Sequence, residues 1–265
     1  MSAVQSGPIR VATALERRQA PPRVIAYLMA GFPKREHTAA LLLAAQGAGA
    51  ALVELGLPFS DPLADGPTIQ AAGQQALAGG MSTGLALEQV RQARAAGLTV
   101  PLVVMTYLNP ILQMGLADFC RRAAKVGVDG VLVPDLPIDE AGELSRLAGG
   151  SGIAFNTMVA PTTPDSRLVA AARLSTGFLY CVSRTGVTGA GPPDQSDGRD
   201  LLRRARSLTE IPLVLGFGVR RVEQVRDLTG LADAVVVGSA LLEAAAAASD
   251  PAAAVATALG TLLAV

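Results

Sequence analysis

Short apolar runs rich in Val, Leu and Ala recur along the chain and alternate with amphipathic segments rich in Ala and Arg. Continuous apolar runs of this length are typical of parallel strands buried on both faces. They predict strands at Val24–Leu28, Ala51–Leu55, Leu102–Met105, Gly130–Val133, Ala154–Met158, Gly177–Cys181, Leu213–Gly216 and Ala234–Val237. The intervening segments predict helices, including Leu85–Ala96, Leu116–Val126, Glu140–Ala148 and Val222–Leu228, and closing helices in the Ala-rich tail from Leu241 to Val265.

This alternation of strand and helix, repeated about eight times, predicts an α/β protein with a (β/α)₈ TIM barrel. The length of 265 residues suits one such domain, so we expect a single barrel domain over residues 1–265. Within it, residues 1–20 are expected to form an N-terminal helical region that covers the bottom of the barrel. The alternative is an open doubly wound sheet, which would place a GxGxxG turn after an early strand. The sequence contains no such turn.

Two segments rich in Gly and Pro follow predicted strands. One spans residues 58–67 after the second strand, and the other spans residues 183–197 after the sixth. Because barrel enzymes place their active sites and mobile lids on loops at the carboxyl ends of the strands, both segments are candidate functional loops.

Composition excludes several classes of function. Hydrophobic residues make up 50% of the chain and the formal net charge is +0, so a sizeable core is available and no basic surface for nucleic acid is indicated. No apolar stretch reaches the roughly 18 residues of a membrane span, and the N-terminus lacks the apolar region of a signal peptide, so we expect a cytoplasmic protein. The 2 cysteines and 1 histidine are too few for a disulfide framework or a histidine-based zinc site.

Two carboxylates in the second strand and its loop are candidate catalytic groups. Glu54 ends an apolar run, and Asp65 lies in the Pro- and Gly-rich loop that follows. Burial beside apolar neighbours raises the pKa of a carboxyl group towards the range in which it works as a general acid or base. Alternatively, Glu54 is a paired structural carboxylate, and Asp61 and Asp65 are ordinary turn residues. The residues alone leave both interpretations open.

A phosphate site is predicted by the barrel fold itself. Phosphate in such barrels is commonly held by the loops after strands 7 and 8 and by the N-terminus of a short helix. Here strand 7 leads into Gly218, and strand 8 leads into Gly238 and Ser239 before a helical segment. Glycine lets the backbone approach a ligand closely, and free N–H groups at a helix start bind anions. Gly189, in the loop after strand 6, is a further candidate donor.

The stretch LVELGLPFSDPLADGP, residues 52–67, resembles the signature of the tryptophan synthase α-subunit family. Further matching segments follow in the family's order: MTYLNP (105–110), GVDGVLVPDLP (127–137), YCVSRTGVTG (180–189), GFGV (216–219) and VVGSA (236–240). The resemblance extends over almost the whole chain and is weakest over the first twenty or so residues.

The resemblance implies a lyase that cleaves indole-3-glycerol phosphate to indole and glyceraldehyde 3-phosphate. It assigns Glu54 as the general acid/base at the indole ring carbon and Asp65 as the carboxylate that stabilises the ring nitrogen. Tyr180 matches a tyrosine that lines the site. The substrate phosphate is expected at the residues matching Gly189, Gly218, Gly238 and Ser239, and the indole pocket at Tyr27, Met105, Tyr107 and Phe217.

The resemblance also implies a partner, the β subunit of tryptophan synthase, in an α2β2 heterotetramer with allosteric coupling. The β subunit is expected to carry pyridoxal phosphate, whereas no cofactor or metal is expected on this chain. Asp61, Pro62, Asn109 and Thr188 are assigned to the partner interface and its loops.

Two alternatives remain open at this stage. The first is a self-sufficient lyase that releases indole as its product, and the second is a barrel that binds the phosphate ligand and activates a partner without catalysis. Retention of both Glu54 and Asp65 argues against the second alternative. A phosphate-binding barrel isomerase or epimerase would share the Gly-Ser segment but not ELGLPFSDPLADG.

Overall fold

A computed structural model describes residues 6–17, 20–183, 196–216 and 218–264 of the chain. Its eight strands form a closed barrel in which each strand pairs in parallel with the next and β8 pairs with β1. The predicted (β/α)₈ barrel is therefore confirmed. The strands are β1 Arg23–Met29, β2 Leu52–Gly56, β3 Leu102–Met105, β4 Gly130–Leu132, β5 Ala154–Val159, β6 Leu179–Val182, β7 Leu213–Gly216 and β8 Ala234–Val237.

Helices surround the barrel and complete its core. They are α1 Gly7–Ala14, α2 Thr38–Gly47, α3 Pro67–Ala78, α4 Thr83–Ala95, α5 Leu108–Met114, α6 Leu116–Val126, α7 Gly142–Gly150, α8 Asp165–Leu174, α9 Ser196–Leu208, α10 Val222–Arg226, α11 Ser239–Ala247 and α12 Pro251–Leu263. Helices α3 and α4 both follow β2, and α11 and α12 both follow β8. No helix among the described residues is long and apolar enough to cross a membrane.

The strands form where the sequence predicts them because nearly all their residues are buried, as a barrel covered by helices requires. Small differences have local causes. The sixth strand begins at Leu179 and not at the predicted Gly177, because the Phe178 N–H donates to the Asn156 side-chain oxygen at 2.9 Å instead of to a neighbouring strand. The same oxygen lies 2.5 Å from the position that a Cβ at residue 177 would take, so only glycine fits there.

A buried ionic cluster holds the N-terminal ends of strands β3 and β4 together. The Asp129 carboxylate, whose side chain is 5% exposed, pairs with Arg10 of α1 at 2.9 Å and with Arg94 of α4 at 2.6 Å. It also accepts the Leu102 N–H at 2.8 Å. Helix α1 is thereby fixed at the bottom of the barrel, opposite the end where the strands' carboxyl termini meet.

We expect Asp129→Asn to lower the free energy of unfolding by about 2–4 kcal/mol, because the substitution leaves two largely buried arginines without their counter-charge. Asp118→Asn is the matched control, since Asp118 pairs with Arg121 on the exposed surface of α6 and should contribute at most about 0.5 kcal/mol. Urea unfolding of both variants measures the difference. Equal losses in the two variants would contradict the assigned role of Asp129.

Candidate functional site

The predicted catalytic residues meet at the carboxyl ends of the strands, the end of the barrel where this fold places its active sites. Glu54 lies in β2 in register with Tyr27 of β1, and Asp65 lies in the loop that follows β2. Tyr180 lies in β6 on the far side of the barrel mouth. Electrostatic interactions connect Tyr180 to both carboxylates, which places the three side chains around one space.

Glu54 is a fully buried carboxyl group without a hydrogen-bonding partner. Its exposed fraction is 0%, and neither side-chain oxygen has a partner among the described residues. Burial raises the pKa of Glu54 to about 8, with a further contribution from the nearby Asp65. A carboxyl group in this state holds its proton at neutral pH and can donate it to a bound ligand.

Asp65 is buried as well but differs in its surroundings. It is 4% exposed, and one of its carboxylate oxygens has no partner within the described part of the chain. Burial raises the pKa of Asp65 and a hydrogen bond from the Tyr107 hydroxyl opposes the rise, so that the pKa is about 6. Near neutral pH the site therefore contains one protonated and one ionised carboxyl group, which is the arrangement needed for a proton donor beside a charge stabiliser.

Two tyrosine rings occupy space that glycines leave free. The Tyr27 hydroxyl lies 2.2 Å from where a Cβ on Gly56 would stand, and ring atoms and the hydroxyl of Tyr180 lie 2.1 Å from a Cβ placed on Gly216. A side chain at either glycine would displace the adjacent ring. The chain has 3 tyrosines in all, and Tyr27, Tyr107 and Tyr180 all interact electrostatically with Asp65.

The loop after β2 is fixed to the start of α5. The Tyr107 hydroxyl accepts the Ala64 N–H at 3.0 Å, and the rings of Phe59 and Tyr107 are in contact, with centroids 5.3 Å apart. Met105 ends β3 opposite Gly56 and is buried in the same region. Of the predicted pocket residues, Met105 and Tyr107 therefore lie on the side of the barrel mouth covered by the loop after β2.

Two large apolar side chains are exposed to solvent in the loop after β2 and on α5. Leu63 is 83% exposed and Leu112, on α5, is 54% exposed. Asp61 and Asn109, the residues predicted to face a partner, are exposed on the same two segments, and Pro62 is half-buried. Large exposed apolar side chains grouped with polar residues are typical of protein-interaction surfaces.

The predicted phosphate residues present free backbone donors. Gly218 has φ +87°, a conformation that favours glycine, and Ser239 begins α11. Among the described residues, the N–H groups of Gly218, Val219, Ser239 and Ala240 have no acceptor. Gly238 directly precedes Ser239, and a Cβ added to Gly238 would lie 3.1 Å from the Tyr27 ring. These donors can bind an anion at the part of the barrel mouth formed by the loops after β7 and β8.

Three predicted residues lie outside the described residues: Thr188, Gly189 and Phe217. Most of the second predicted loop, 183–197, lies outside them as well. No group of three or more His, Cys, Asp or Glu side chains in the described ranges could hold a metal ion.

Sequence reasoning missed two glutamines that hold the site's loops. The Gln70 side chain donates to the Asp65 carbonyl at 2.9 Å, and the Gln224 side chain bonds three backbone groups of the loop after β7. Both residues lie in the first turn of a helix, where a glutamine is normally a solvated surface residue. No pattern in a single sequence distinguishes these two from surface glutamines.

Comparison with curated proteins identifies close relatives. The tryptophan synthase alpha chain of Carboxydothermus hydrogenoformans is 46% identical over 228 residues, which cover 86% of this chain and 85% of the relative. The tryptophan synthase alpha chain of a Synechococcus species is 42% identical over 250 residues, covering 94% and 93% of the two chains.

Solved structures give the same result. A chain from the tryptophan synthase α2β2 complex of the hyperthermophile Pyrococcus furiosus superposes with a TM-score of 0.86 at 38% identity, covering 94% of this chain and 100% of that one. A second structure of the complex from the same organism gives a TM-score of 0.84 at 36% identity with the same coverage. The sequence model of the family described as "Tryptophan synthase alpha chain" matches residues 13–262. The chain belongs to the tryptophan synthase alpha chain family.

Proposed function

We propose that this chain is the α subunit of tryptophan synthase, a lyase that cleaves indole-3-glycerol phosphate to indole and glyceraldehyde 3-phosphate. The observation that carries the proposal is the pair of buried carboxyl groups at the barrel mouth, Glu54 with no partner and Asp65 with one free oxygen. Burying two such groups is costly unless a ligand uses them. Cleavage of indole-3-glycerol phosphate, the reaction of this family, requires two such carboxyl groups.

The reaction requires a proton at the ring carbon that loses its side chain. Glu54, protonated because burial raises its pKa to about 8, is the donor. As the ring accepts this proton, positive charge develops on the ring nitrogen, and the Asp65 carboxylate accepts the N–H and stabilises that charge.

The carbon–carbon bond then breaks. The hydroxyl group on the departing carbon loses its proton, its oxygen forms the aldehyde carbonyl, and the electrons of the broken bond return to the ring. Glu54, ionised after the first step, is positioned to take up this proton and so to regain its starting state. Tyr180 has a supporting role, since its ring lines the site near Glu54.

Substrate binding divides between the two ends of the site. The phosphate is held by backbone donors at Gly218, Gly238 and Ser239, with Gly189 assigned to the same group by its match to the family. The indole ring is assigned to a pocket formed by Tyr27, Met105, Tyr107 and Phe217. The phosphate anchor thereby brings the reacting carbon to the carboxyl groups.

The product indole is passed to a β subunit that carries pyridoxal phosphate and forms L-tryptophan. The exposed Leu63 and Leu112 support a docking surface at the barrel mouth. Asp61, Pro62, Asn109 and Thr188 are assigned to this interface. We place the chain in an α2β2 assembly as one cytoplasmic, single-domain subunit that needs no cofactor of its own.

The first test measures indole release from indole-3-glycerol phosphate by the purified chain, with and without a pyridoxal-phosphate β subunit. We expect slow release by the chain alone and strong acceleration by the partner. Glu54→Gln should abolish release in both cases and leave binding of inorganic phosphate within about twofold, because the phosphate donors lie in other loops.

Each other outcome has a definite meaning. Fast release that ignores the β subunit would indicate a self-sufficient lyase, and no release in either case would indicate a ligand-binding barrel. Substantial activity in Glu54→Gln would remove Glu54 from the mechanism.

Asp65→Asn is expected to reduce kcat by an amount equivalent to about 2–4 kcal/mol of lost transition-state stabilisation, because an amide cannot neutralise the charge on the ring nitrogen. The KM for indole-3-glycerol phosphate should change little, since this interaction strengthens only as charge develops. Steady-state kinetics of the variant with the β subunit present measures both constants. A reduction in kcat of less than tenfold would count against this role of Asp65.

The pH dependence of kcat/KM follows from the two carboxyl groups. Asp65 must be ionised, so activity should fall as the pH drops below about 6, the pKa of Asp65. Glu54 must be protonated, so activity should fall as the pH rises above about 8, the pKa of Glu54. The profile should therefore be bell-shaped. Asp65→Asn should lose the acid limb; if that limb persists in the variant, it belongs to ionisation of the substrate phosphate and not to Asp65.

A further inference from the structure

The loop after β7 provides donors of the phosphate site but has no regular secondary structure to fix them. Gly218 has φ +87° and is exposed, and the N–H groups of Gly218 and Val219 have no acceptor among the described residues. Free donors on an irregular backbone bind an anion well only if their directions are set in advance. Some other part of the molecule must therefore set them.

The Gln224 side chain does so through three hydrogen bonds. It is a buried residue in the first turn of α10, with an exposed fraction of 9%. Its Nε2 donates to the Gly218 carbonyl at 3.1 Å. Its Oε1 accepts the Arg220 N–H at 2.8 Å and the Arg221 N–H at 3.0 Å.

These three bonds fix three consecutive peptide groups. In a planar trans peptide the carbonyl and the following N–H point in opposite directions. Holding the Gly218 carbonyl towards Gln224 therefore turns the Val219 N–H away from Gln224, and the bonds to Arg220 and Arg221 fix the next two peptide groups in the same way. One side chain thus orients the three peptide groups from the Gly218 carbonyl to the Arg221 N–H, and the Val219 N–H is the phosphate donor among them.

A second contact reaches the same loop from outside. The Arg220 guanidinium forms two hydrogen bonds with Glu243 of α11, at 2.9 and 2.8 Å. The two side chains are 52% and 47% exposed, and exposed pairs of this kind contribute little. A buried amide with satisfied hydrogen bonds costs more to remove than such a pair, so the orientation of the loop depends chiefly on Gln224.

We infer that Gln224 is a positioning residue for the substrate phosphate: it does not touch the phosphate but holds in place the Val219 N–H, a backbone donor of that site. The inference rests on the proposed function and deepens it: it names the residue on which binding of the phosphate end depends. Loss of the Gln224 amide should weaken the binding of ligands that carry phosphate and leave the binding of ligands without phosphate unchanged.

The chain offers a matched control at the opposite end of the barrel. The Gln46 side chain makes the same pattern of bonds with the loop before β3, donating to the Gly97 carbonyl at 3.0 Å and accepting the N–H groups of Thr99 at 2.6 Å and Val100 at 3.0 Å. Gln224→Met and Gln46→Met therefore each remove one donated and two accepted backbone hydrogen bonds with little change in volume, from a buried and a half-buried side chain respectively. Only the first set lies at the proposed phosphate site.

The experiment measures the Kd of inorganic phosphate and of indole by calorimetry, the kcat and KM for indole-3-glycerol phosphate, and the Tm of each variant. We expect Gln224→Met to raise the Kd of phosphate and the KM by about tenfold, comparable to losing one or two hydrogen bonds. The Kd of indole should stay within about twofold, and Gln46→Met should change the Tm alone.

A second variant keeps the test decisive if Gln224→Met folds poorly. Gln224→Glu has the same shape, but its ionised carboxylate cannot donate to the Gly218 carbonyl, whereas the protonated form can. The ratio of its phosphate Kd to that of the wild type should therefore fall towards one as the pH decreases.

The inference is overturned if Gln224→Met and Gln224→Glu bind phosphate like the wild type. It is also overturned if binding of phosphate and of indole weakens in parallel, since that indicates general loosening of the fold. If the wild type itself neither binds phosphate nor cleaves the substrate, the proposed function fails instead.

Discussion

Burial of two carboxyl groups away from water is the physical constraint on which the site of this protein depends. A parallel barrel closed by eight strands and covered by helices leaves no solvent path to Glu54 except through its mouth, where the loop after β2 carries Asp65. Desolvation then separates the two groups: the pKa of Glu54 rises to about 8, while the Tyr107 hydroxyl limits that of Asp65 to about 6. On a strand exposed to solvent both groups would be hydrated and nearly equivalent, and the division into donor and stabiliser would be lost.

The surroundings of these carboxyl groups preserve that division. Tyrosine rings form the wall beside them without adding positive charge, and they fit because Gly56 and Gly216 lack side chains. Within the described residues, the phosphate end is built from uncharged backbone donors at the loops after β7 and β8. Arg220, one of two arginines in the loop after β7, is paired with Glu243. A free cation near the mouth would lower the pKa of Glu54 and oppose its role as an acid.

The sequence was sufficient to predict the barrel, because strands buried on both faces have a continuous apolar pattern and follow one another at regular intervals. It also indicated Glu54, in the second strand, and Asp65, in the loop that follows, as candidate catalytic groups at the end of the barrel where active sites lie. It could not predict that Asn156 shortens β6, that Asp129 forms an ionic cluster, or that the Gln224 and Gln46 side chains form hydrogen bonds with loop backbones. The Asn156, Asp129 and Gln46 contacts join groups that are distant in the sequence, and a single sequence records no such pairing. The Gln224 contacts are local, but the sequence does not show that the preceding loop turns its backbone groups towards this side chain.

The two functional ends lie on different parts of the barrel, and Tyr27 connects them. The carboxyl groups belong to β2 and its loop, whereas the described phosphate donors follow β7 and β8. The Tyr27 ring lies between these parts, with Gly238 against its base and Gly56 against its hydroxyl. The ring therefore fixes the separation between the phosphate anchor and the proton donor. Binding energy gained at the phosphate can place the reacting carbon only if that separation is rigid, and a closed barrel with tyrosine packed against two glycines supplies the rigidity.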